Sequence, residues 1–320
     1  MKTTSAVLQA PHRPIPVRDE KEKLALNLFD ALWVRYRRRV AHVRAYEQVI
    51  RRHGATFVND HIAFRTLALQ KPMTGIFTLS RIFMSLGWSP AACHEFPDKH
   101  MSSIHLEHAN TLFPKLFVTE LKTWELPDAA RKIIRQAIKS HGPQFSDNDL
   151  TDLRNANQIR PARRRALLKS LIRFFTALPW KIPRREWVAA IDRETQFGAW
   201  VLLNGYEVNH FTASVNSHGV ASLDDIDKTV AAMKKAGVPM KKEIEGAPGS
   251  VLRQTSTESV VLPFRVRGKR GPEKLDWTCA YFEIAERGYW VDPLSGLRRR
   301  FEGFLGAQAT HLFDMTRLQK

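Results

Sequence analysis

The sequence predicts an α+β fold of paired βαβββ modules, with added helices and a helical insertion. Strand-like alternation of apolar and polar residues occurs over residues 57–67, and a helical pattern and further strand patterns follow it. The same order begins again at residues 206–215, roughly 150 residues later. The two copies share little sequence identity, so they indicate a repeat of structure.

The composition indicates a globular chain with a sizeable core. The 320 residues are 43% hydrophobic, which is ample for a packed interior. No apolar run is long enough for a membrane span, and the two cysteines, Cys93 and Cys279, do not make a disulfide framework. Such cysteine usage fits a reducing compartment, so the cytoplasm is the expected location.

The charge is strongly positive. Fifty Lys and Arg residues stand against 32 Asp and Glu residues, which gives a net charge of +18. A field of this sign attracts polyanions and small acids alike. Nucleic-acid binding is therefore an alternative that the composition leaves open.

The first part of the chain is expected to contain a flexible N-terminus, residues 1–19, and a structural segment, residues 20–125. Residues 20–53 carry apolar side chains at helical spacing, which predicts two helices ahead of the first module. The strand at 57–67 opens that module. Its other predicted elements are a helix at 75–86, a strand near 92–96, and strands at 103–108 and 115–121.

Residues 126–198 show helical periodicity instead of strand alternation and are predicted to form a helical insertion rich in basic residues. Residues 199–320 are expected to hold the second module and a C-terminal segment. In this module the strand at 206–215 is followed by a helix at 222–237. Three further strand patterns come next, "GSVLRQTST", "SVVLPFRV" and "WTCAYFEIAER".

Three strands of the two modules each carry one potential metal ligand. Because strand side chains alternate between two faces, His61 shares a face with Arg65 on the first strand. His210 opens the second module in the same way, and Glu283 lies on its last strand. Two histidines and one carboxylate are typical of non-haem Fe(II) sites, which keep positions open for substrate and oxygen.

Other interpretations of these residues stay open at this level. A single strand histidine is more often a hydrogen-bonded core residue, and Glu283 could pair with Arg287 on an edge strand. Glu120, in "FVTEL", sits at an analogous place in the first module and is the rival carboxylate. Gln254, with Ser256 on the same strand face, is a candidate for the lining of the site.

The segments "NDHIAFR", "VNHFTASV" and "YFEIAERG", within the repeated modules, carry a family resemblance. The chain resembles the 2-oxoadipate dioxygenase/decarboxylase (hydroxyglutarate synthase) family, which has the vicinal-oxygen-chelate fold. "DHIAFRT" is the most specific of the motifs, and the resemblance covers most of residues 24–310. The chain looks like a short form, because many members of the family are longer.

The resemblance implies an Fe(II) enzyme of lysine breakdown that converts 2-oxoadipate and O2 to 2-hydroxyglutarate and CO2. The metal ligands of the family match His61, His210 and Glu283, and its carboxylate-binding arginine matches Arg65. These four residues and Gln254 make up the expected substrate-binding set, with Arg65 also assigned a catalytic role. The alternative is a basic nucleic-acid-binding protein on a related fold without this catalysis.

Overall fold

The computed structural model describes residues 10–142 and 145–305. Part of the predicted flexible N-terminus, residues 1–9, and the last part of the C-terminal segment, residues 306–320, lie outside the described residues. The predicted division of the chain at residues 19, 125 and 198 stays a prediction.

The described strands confirm a mixed α+β fold, which is built on a curled seven-stranded sheet with the order β2-β3-β4-β1-β5-β9-β6. Further along the chain, β7 and β8 form one separate two-stranded sheet, and β10 and β11 form another. The strands are β1 (Asn59–Ala68), β2 (Trp88–Phe96), β3 (Met101–His108), β4 (Lys115–Lys122), β5 (Val208–Ser214), β6 (Leu252–Ser256), β7 (Val261–Gly268), β8 (Gly271–Thr278), β9 (Glu283–Arg287), β10 (Tyr289–Val291) and β11 (Arg298–Arg300).

Helices precede, separate and interrupt the two groups of strands. Among the described residues, none of them combines the length and the apolar character that crossing a membrane would require. The α-helices are α1 (Glu20–Arg39), α2 (Ala41–His53), α3 (Ile76–Ser85), α4 (Asp128–Ile138), α5 (Asp147–Arg154), α6 (Pro161–Phe174), α7 (Arg185–Glu194), α8 (Gln196–Asn204) and α9 (Ile226–Lys235).

The two modules meet where β1 runs antiparallel to β5, and each of these strands has a parallel partner from its own module. In the first module, β4 pairs with β1 so that Phe117 lies beside Ala63. In the second module, β9 pairs with β5 so that Glu283 lies beside Thr212. Since Ala63 and Thr212 each follow a candidate histidine by two residues, the two halves of the sheet are built alike around β1 and β5.

The hydrophobic core covers the face of β1 and β5 that points away from the candidate histidines. Phe64 and Phe211 are fully buried on that face. The ring of Phe211 lies 5.1 Å from that of Trp33 in α1, and the ring of Phe64 lies 5.1 Å from that of Phe83 in α3. Strand alternation thus separates an aromatic core from the polar residues of the opposite face.

The second module differs from the prediction after β6. "SVVLPFRV" forms β7 as a strand, but it pairs with β8 outside the main sheet. "WTCAYFEIAER" is interrupted, because β8 ends at Thr278 and β9 begins at Glu283. The carbonyls of Cys279 and Tyr281 accept from side chains, that of Cys279 from Trp200 Nε1 at 2.5 Å and that of Tyr281 from the Tyr36 hydroxyl. Those of Ala280 and Phe282 accept from backbone N–H groups of the segment at 257–260. Residues 279–282 thus form an irregular connection between β8 and β9, and the module gives the main sheet three strands, β5, β9 and β6.

A pair of glutamates repeats one contact in both modules. Glu120 Oε2 accepts a hydrogen bond from the N–H of Ile76, the first residue of α3, at 2.7 Å. Glu286 Oε2 accepts from the N–H of Ile226, the first residue of α9, at 2.8 Å. Both carboxylates therefore satisfy the start of the helix of their own module. The counterpart of Glu120 is Glu286, so its predicted equivalence to Glu283 is wrong.

Candidate metal centre

The strand register brings the three predicted ligands together. His61 and Thr212 are direct partners across β1 and β5, and Thr212 is in turn the partner of Glu283 across β5 and β9. His210 precedes Thr212 by two residues and so shares its face. As a result, one potential ligand atom from each of His61, His210 and Glu283 lies within 4.8 Å of the others.

The geometry of this cluster fits a divalent metal ion. His61 Nε2 is 3.2 Å from Glu283 Oε1, and His210 Nε2 is 3.6 Å from Glu283 Oε2. Ligands about 2.1 Å from an ion and at right angles to each other lie about 3 Å apart. Glu283 is fully buried, and its Oε2 has no hydrogen-bond partner among the described residues. An unpaired buried carboxylate oxygen is costly, and a cation would satisfy it.

The residue before each histidine forms a hydrogen bond with the ring nitrogen Nδ1, which points away from the centre. His61 Nδ1 lies 2.9 Å from Asp60 Oδ1, and His210 Nδ1 lies 3.0 Å from Asn209 Oδ1. When Nδ1 donates its proton to these oxygens, Nε2 presents a lone pair to the centre. Sequence reasoning missed this device, although an acid or amide before the histidine of each repeat, "DH" and "NH", is a visible signal.

The electrostatic surroundings of the two histidines differ. Burial, reinforced by the charges of His61 and Arg65, lowers the pKa of His210 well below its usual range, which keeps that ring neutral. Burial opposes a charge on His61 as well, but its hydrogen bonds with Asp60 and Glu283 outweigh burial and raise its pKa. The carboxylate behind His61 therefore makes that ring the stronger electron donor of the two.

Arg287 supports the metal centre from behind Asp60. Its guanidinium donates to both Asp60 oxygens, at 2.7 and 2.8 Å, and it also donates to the carbonyls of Phe301 and Gly303. Burial would raise the pKa of Asp60, but the Arg287 charge holds it well below its usual range. Arg287 therefore pairs with Asp60, and not with Glu283 as the sequence alternative had it.

We expect Arg287→Ala to lower the free energy of unfolding by about 3–5 kcal/mol, because it leaves the buried Asp60 carboxylate without its positively charged partner. Arg287 is 1% exposed, and the Asp60 side chain is 5% exposed. The double variant Asp60→Asn, Arg287→Met removes both charges and should recover most of that loss. Urea unfolding of the metal-free proteins measures both values, and equal stability of wild type and Arg287→Ala would contradict the assignment.

Arg65 is buried beside the cluster, where its guanidinium is fixed by aromatic rings. The guanidinium carbon lies 4.9 Å from the ring centre of Phe197 and 5.1 Å from that of Trp200, both in α8. Arg65 also donates a hydrogen bond to Tyr281, whose pKa is raised chiefly by burial. The guanidinium therefore lies at the edge of the cluster beside these rings, and its role as the carboxylate-binding group stays a prediction.

A cavity opens beside the cluster, and its lining is mostly apolar. Gln254 is among the lining residues, with Nε2 donating to Glu245 Oε2 at 3.2 Å, and its substrate-binding role stays a prediction. Burial raises the pKa of Glu245 to about 7. Ser256 lies beside Glu283 in register, outside the lining. The lining residues are His61, Ala63, Phe64, Arg65, Phe117, Thr119, Asn209, His210, Leu252, Gln254, Tyr281, Phe304 and Leu305.

Glu120 and the basic helical insertion, two features that the sequence singles out, do not contribute to the cluster. Glu120 is the register partner of Thr66, so it faces away from the side of the sheet that carries His61. The basic insertion is partly neutralised, because Arg163 binds Asp149 and Asp152 at 2.7 Å each. Neither observation adds a group to the cluster.

Comparison with known proteins finds the same family along most of the chain. The family model described as 2-oxoadipate dioxygenase/decarboxylase matches residues 28–315. A chloroplastic 2-oxoadipate dioxygenase/decarboxylase of Arabidopsis thaliana is 26% identical over 278 residues, which cover 80% of this chain and 67% of the relative. A chloroplastic/amyloplastic relative from Oryza sativa subsp. japonica is 25% identical, and the match covers 67% of this chain and 54% of the relative.

Solved structures with low sequence identity share the fold. A glyoxalase superfamily protein from Ralstonia eutropha JMP134 has a TM-score of 0.78 at 21% identity, with 95% of this chain and 99% of that one covered. The hydroxyglutarate synthase of Oryza sativa, solved in complex with 2-oxoadipate, has a TM-score of 0.73 at 21% identity. That superposition covers 94% of each chain. The match to the glyoxalase superfamily protein, whose fold is of the vicinal-oxygen-chelate type, confirms the predicted fold.

Proposed function

The chain belongs to the 2-oxoadipate dioxygenase/decarboxylase family, and we propose that it is an Fe(II) enzyme that converts 2-oxoadipate and O2 to 2-hydroxyglutarate and CO2. The observation that carries the proposal is the buried cluster of His61, His210 and Glu283, with its unpaired carboxylate oxygen. On this proposal the reaction belongs to lysine breakdown, and the expected compartment is the cytoplasm.

The protein supplies ligands on one side only. Bound Fe(II) would offer a chelation point for the carboxylate and keto oxygens of a 2-oxo acid and a place where O2 is activated. His61, His210 and Glu283 leave the side toward the cavity open for these small molecules. Asp60 and Asn209 hold the two imidazole rings at fixed angles, so the ligands need no rearrangement when substrate arrives.

The charges around the cavity favour a substrate with two carboxylates. Asp60 and Arg287 neutralise each other, and Glu245, whose pKa burial raises to about 7, is neutral when protonated. The Glu283 carboxylate and the Arg65 guanidinium then remain as the charges at the centre. With a divalent ion present, the site carries two net positive charges. The dianion of a 2-oxo dicarboxylic acid balances them, whereas a monocarboxylic acid leaves one uncompensated in a buried place.

Arg65 and the apolar lining act on the substrate in different ways. The planar guanidinium can hold a carboxylate with two parallel hydrogen bonds, and its stacking on Phe197 and Trp200 fixes the plane of that fork. The side chains of Phe117 and Phe304 form much of the remaining wall. They exclude water from the reacting atoms, which strengthens every electrostatic contact inside.

The deciding experiment is oxygen uptake by iron-loaded protein with a panel of C4 to C8 2-oxo acids. We expect 2-oxoadipate to be the preferred substrate, with one CO2 released per O2 consumed and 2-hydroxyglutarate identified by mass spectrometry. A panel without any oxygen uptake would contradict the proposal. Retention of the metal-free protein on DNA that weakens with salt would favour the nucleic-acid alternative instead.

A further inference from the structure

We propose that Asn209 is also a substrate-binding residue, whose amide N–H donates a hydrogen bond to an oxygen of the bound 2-oxo acid. The inference deepens the proposed function and rests on it. It assigns to Asn209 a role toward the substrate that is separate from its support of His210.

The observation behind this role is a second unpaired buried atom at the same centre. Asn209 is 1% exposed and lines the cavity next to His210. Its Oδ1 is used by His210 Nδ1, at 3.0 Å, but its Nδ2 has no hydrogen-bond partner among the described residues. Buried amide donors are nearly always paired, so an unpaired one on a residue that lines a cavity favours a ligand that pairs it.

The chemistry of the atom defines the group that it binds. An amide nitrogen has hydrogens to donate and no free lone pair, so a metal ion does not satisfy it. Glu283 Oε2, the unpaired atom across the centre, is an acceptor and suits the cation. Asn209 Nδ2 is a donor and suits an anion, for which the carboxylate or keto oxygen of the substrate is the group at hand.

The first module has no equivalent donor. Asp60 precedes His61 as Asn209 precedes His210, but its two oxygens are taken by His61 and Arg287. The support of the histidine is therefore repeated in both modules, and the spare donor belongs to the second alone. Because His210 fixes the other end of the amide, the N–H is held in place before the substrate binds.

The test separates the two roles of Asn209 by a nearly isosteric change. Asn209→Asp keeps an oxygen for His210 Nδ1 and replaces the donor by a second oxygen that repels an anion. Asn209→Ala removes both contacts. Asn155→Asp makes the same change of charge at an exposed residue far along the chain and serves as the matched control.

Two affinities are measured on each protein without turnover. Co(II) titration followed by visible absorption gives the metal affinity, and calorimetry of 2-oxoadipate binding to the Co(II)-loaded protein under anaerobic conditions gives the substrate affinity. For Asn209→Asp we expect a metal affinity no weaker than that of wild type, because a carboxylate behind His210 makes that ring a stronger donor. We expect its substrate affinity to be weaker by about tenfold or more, the usual effect of losing a hydrogen bond to a charged group. Asn209→Ala should lose metal affinity as well, and Asn155→Asp should change neither value.

The outcomes distinguish the inference from the function on which it rests. Wild-type affinity for 2-oxoadipate in Asn209→Asp, with the metal bound, would overturn the role of Asn209 and leave the proposed function intact. Absence of 2-oxo acid binding in the metal-loaded wild type would overturn both.

Discussion

Glu283→Gln is expected to abolish oxygen uptake. It should also weaken metal binding by more than roughly 10–100-fold, which is the cost of losing a residue that only hydrogen-bonds to a metal ligand. Glutamine replaces one of two carboxylate oxygens by an NH2 group and removes the charge that holds the ion. The metal-free variant should be at least as stable as the metal-free wild type, because Glu283 is a fully buried carboxylate with an unpaired oxygen. Metal titration, oxygen uptake and urea unfolding give the three values.

Glu120→Gln is the matched control for this change. Its carboxylate caps the start of α3 and faces the other side of the sheet, so the variant should bind metal like wild type. Loss of metal binding in Glu120→Gln, together with its retention in Glu283→Gln, would reverse the assignment of the carboxylate ligand.

Arg65→Ala is expected to reduce kcat/KM for 2-oxoadipate while leaving metal binding unchanged. Removing one partner of a buried, hydrogen-bonded charge pair costs about 2–5 kcal/mol, which corresponds to roughly thirty-fold or more in kcat/KM. The loss follows because the substrate carboxylate would enter a buried site without the cation that Arg65 supplies. Steady-state oxygen uptake at a series of substrate concentrations measures the effect.

Arg65→Lys separates the charge from the shape of the group. Lysine keeps the positive charge but loses the planar fork and its stacking, so we expect activity between those of wild type and Arg65→Ala. Wild-type kcat/KM in Arg65→Ala at normal metal content would exclude the carboxylate-binding role.

The sequence predicts those parts of the site that depend on local alternation. His61 and Arg65 share a face because they are an even number of residues apart on one strand, and the structure places both at the cavity. The family motifs around His210 and Glu283 add the other two ligands of the cluster that the register assembles.

Pairings between distant segments were not predictable in the same way. Asp60 and Arg287 are 227 residues apart, and nothing in either local pattern shows that a buried ion pair joins them. The position of Glu120 was misjudged because strand ends alone do not give the register, and a shift of one residue moves a side chain to the other face. The break at residues 279–282 was missed because the local alternation continues through it, whereas its contacts with Tyr36 and Trp200 come from distant helices.

The parallel pairing of β4 with β1 and of β9 with β5 has a consequence for how a duplicated fold acquires reactivity. By that pairing, Phe117 occupies in the first half the position that Glu283 occupies in the second. A carboxylate in both places would surround the ion symmetrically with four protein ligands, a saturated arrangement suited to a structural role. The benzyl group of Phe117 breaks this symmetry: the C-terminal half contributes two candidate ligands, and the N-terminal half contributes one candidate ligand and an apolar wall.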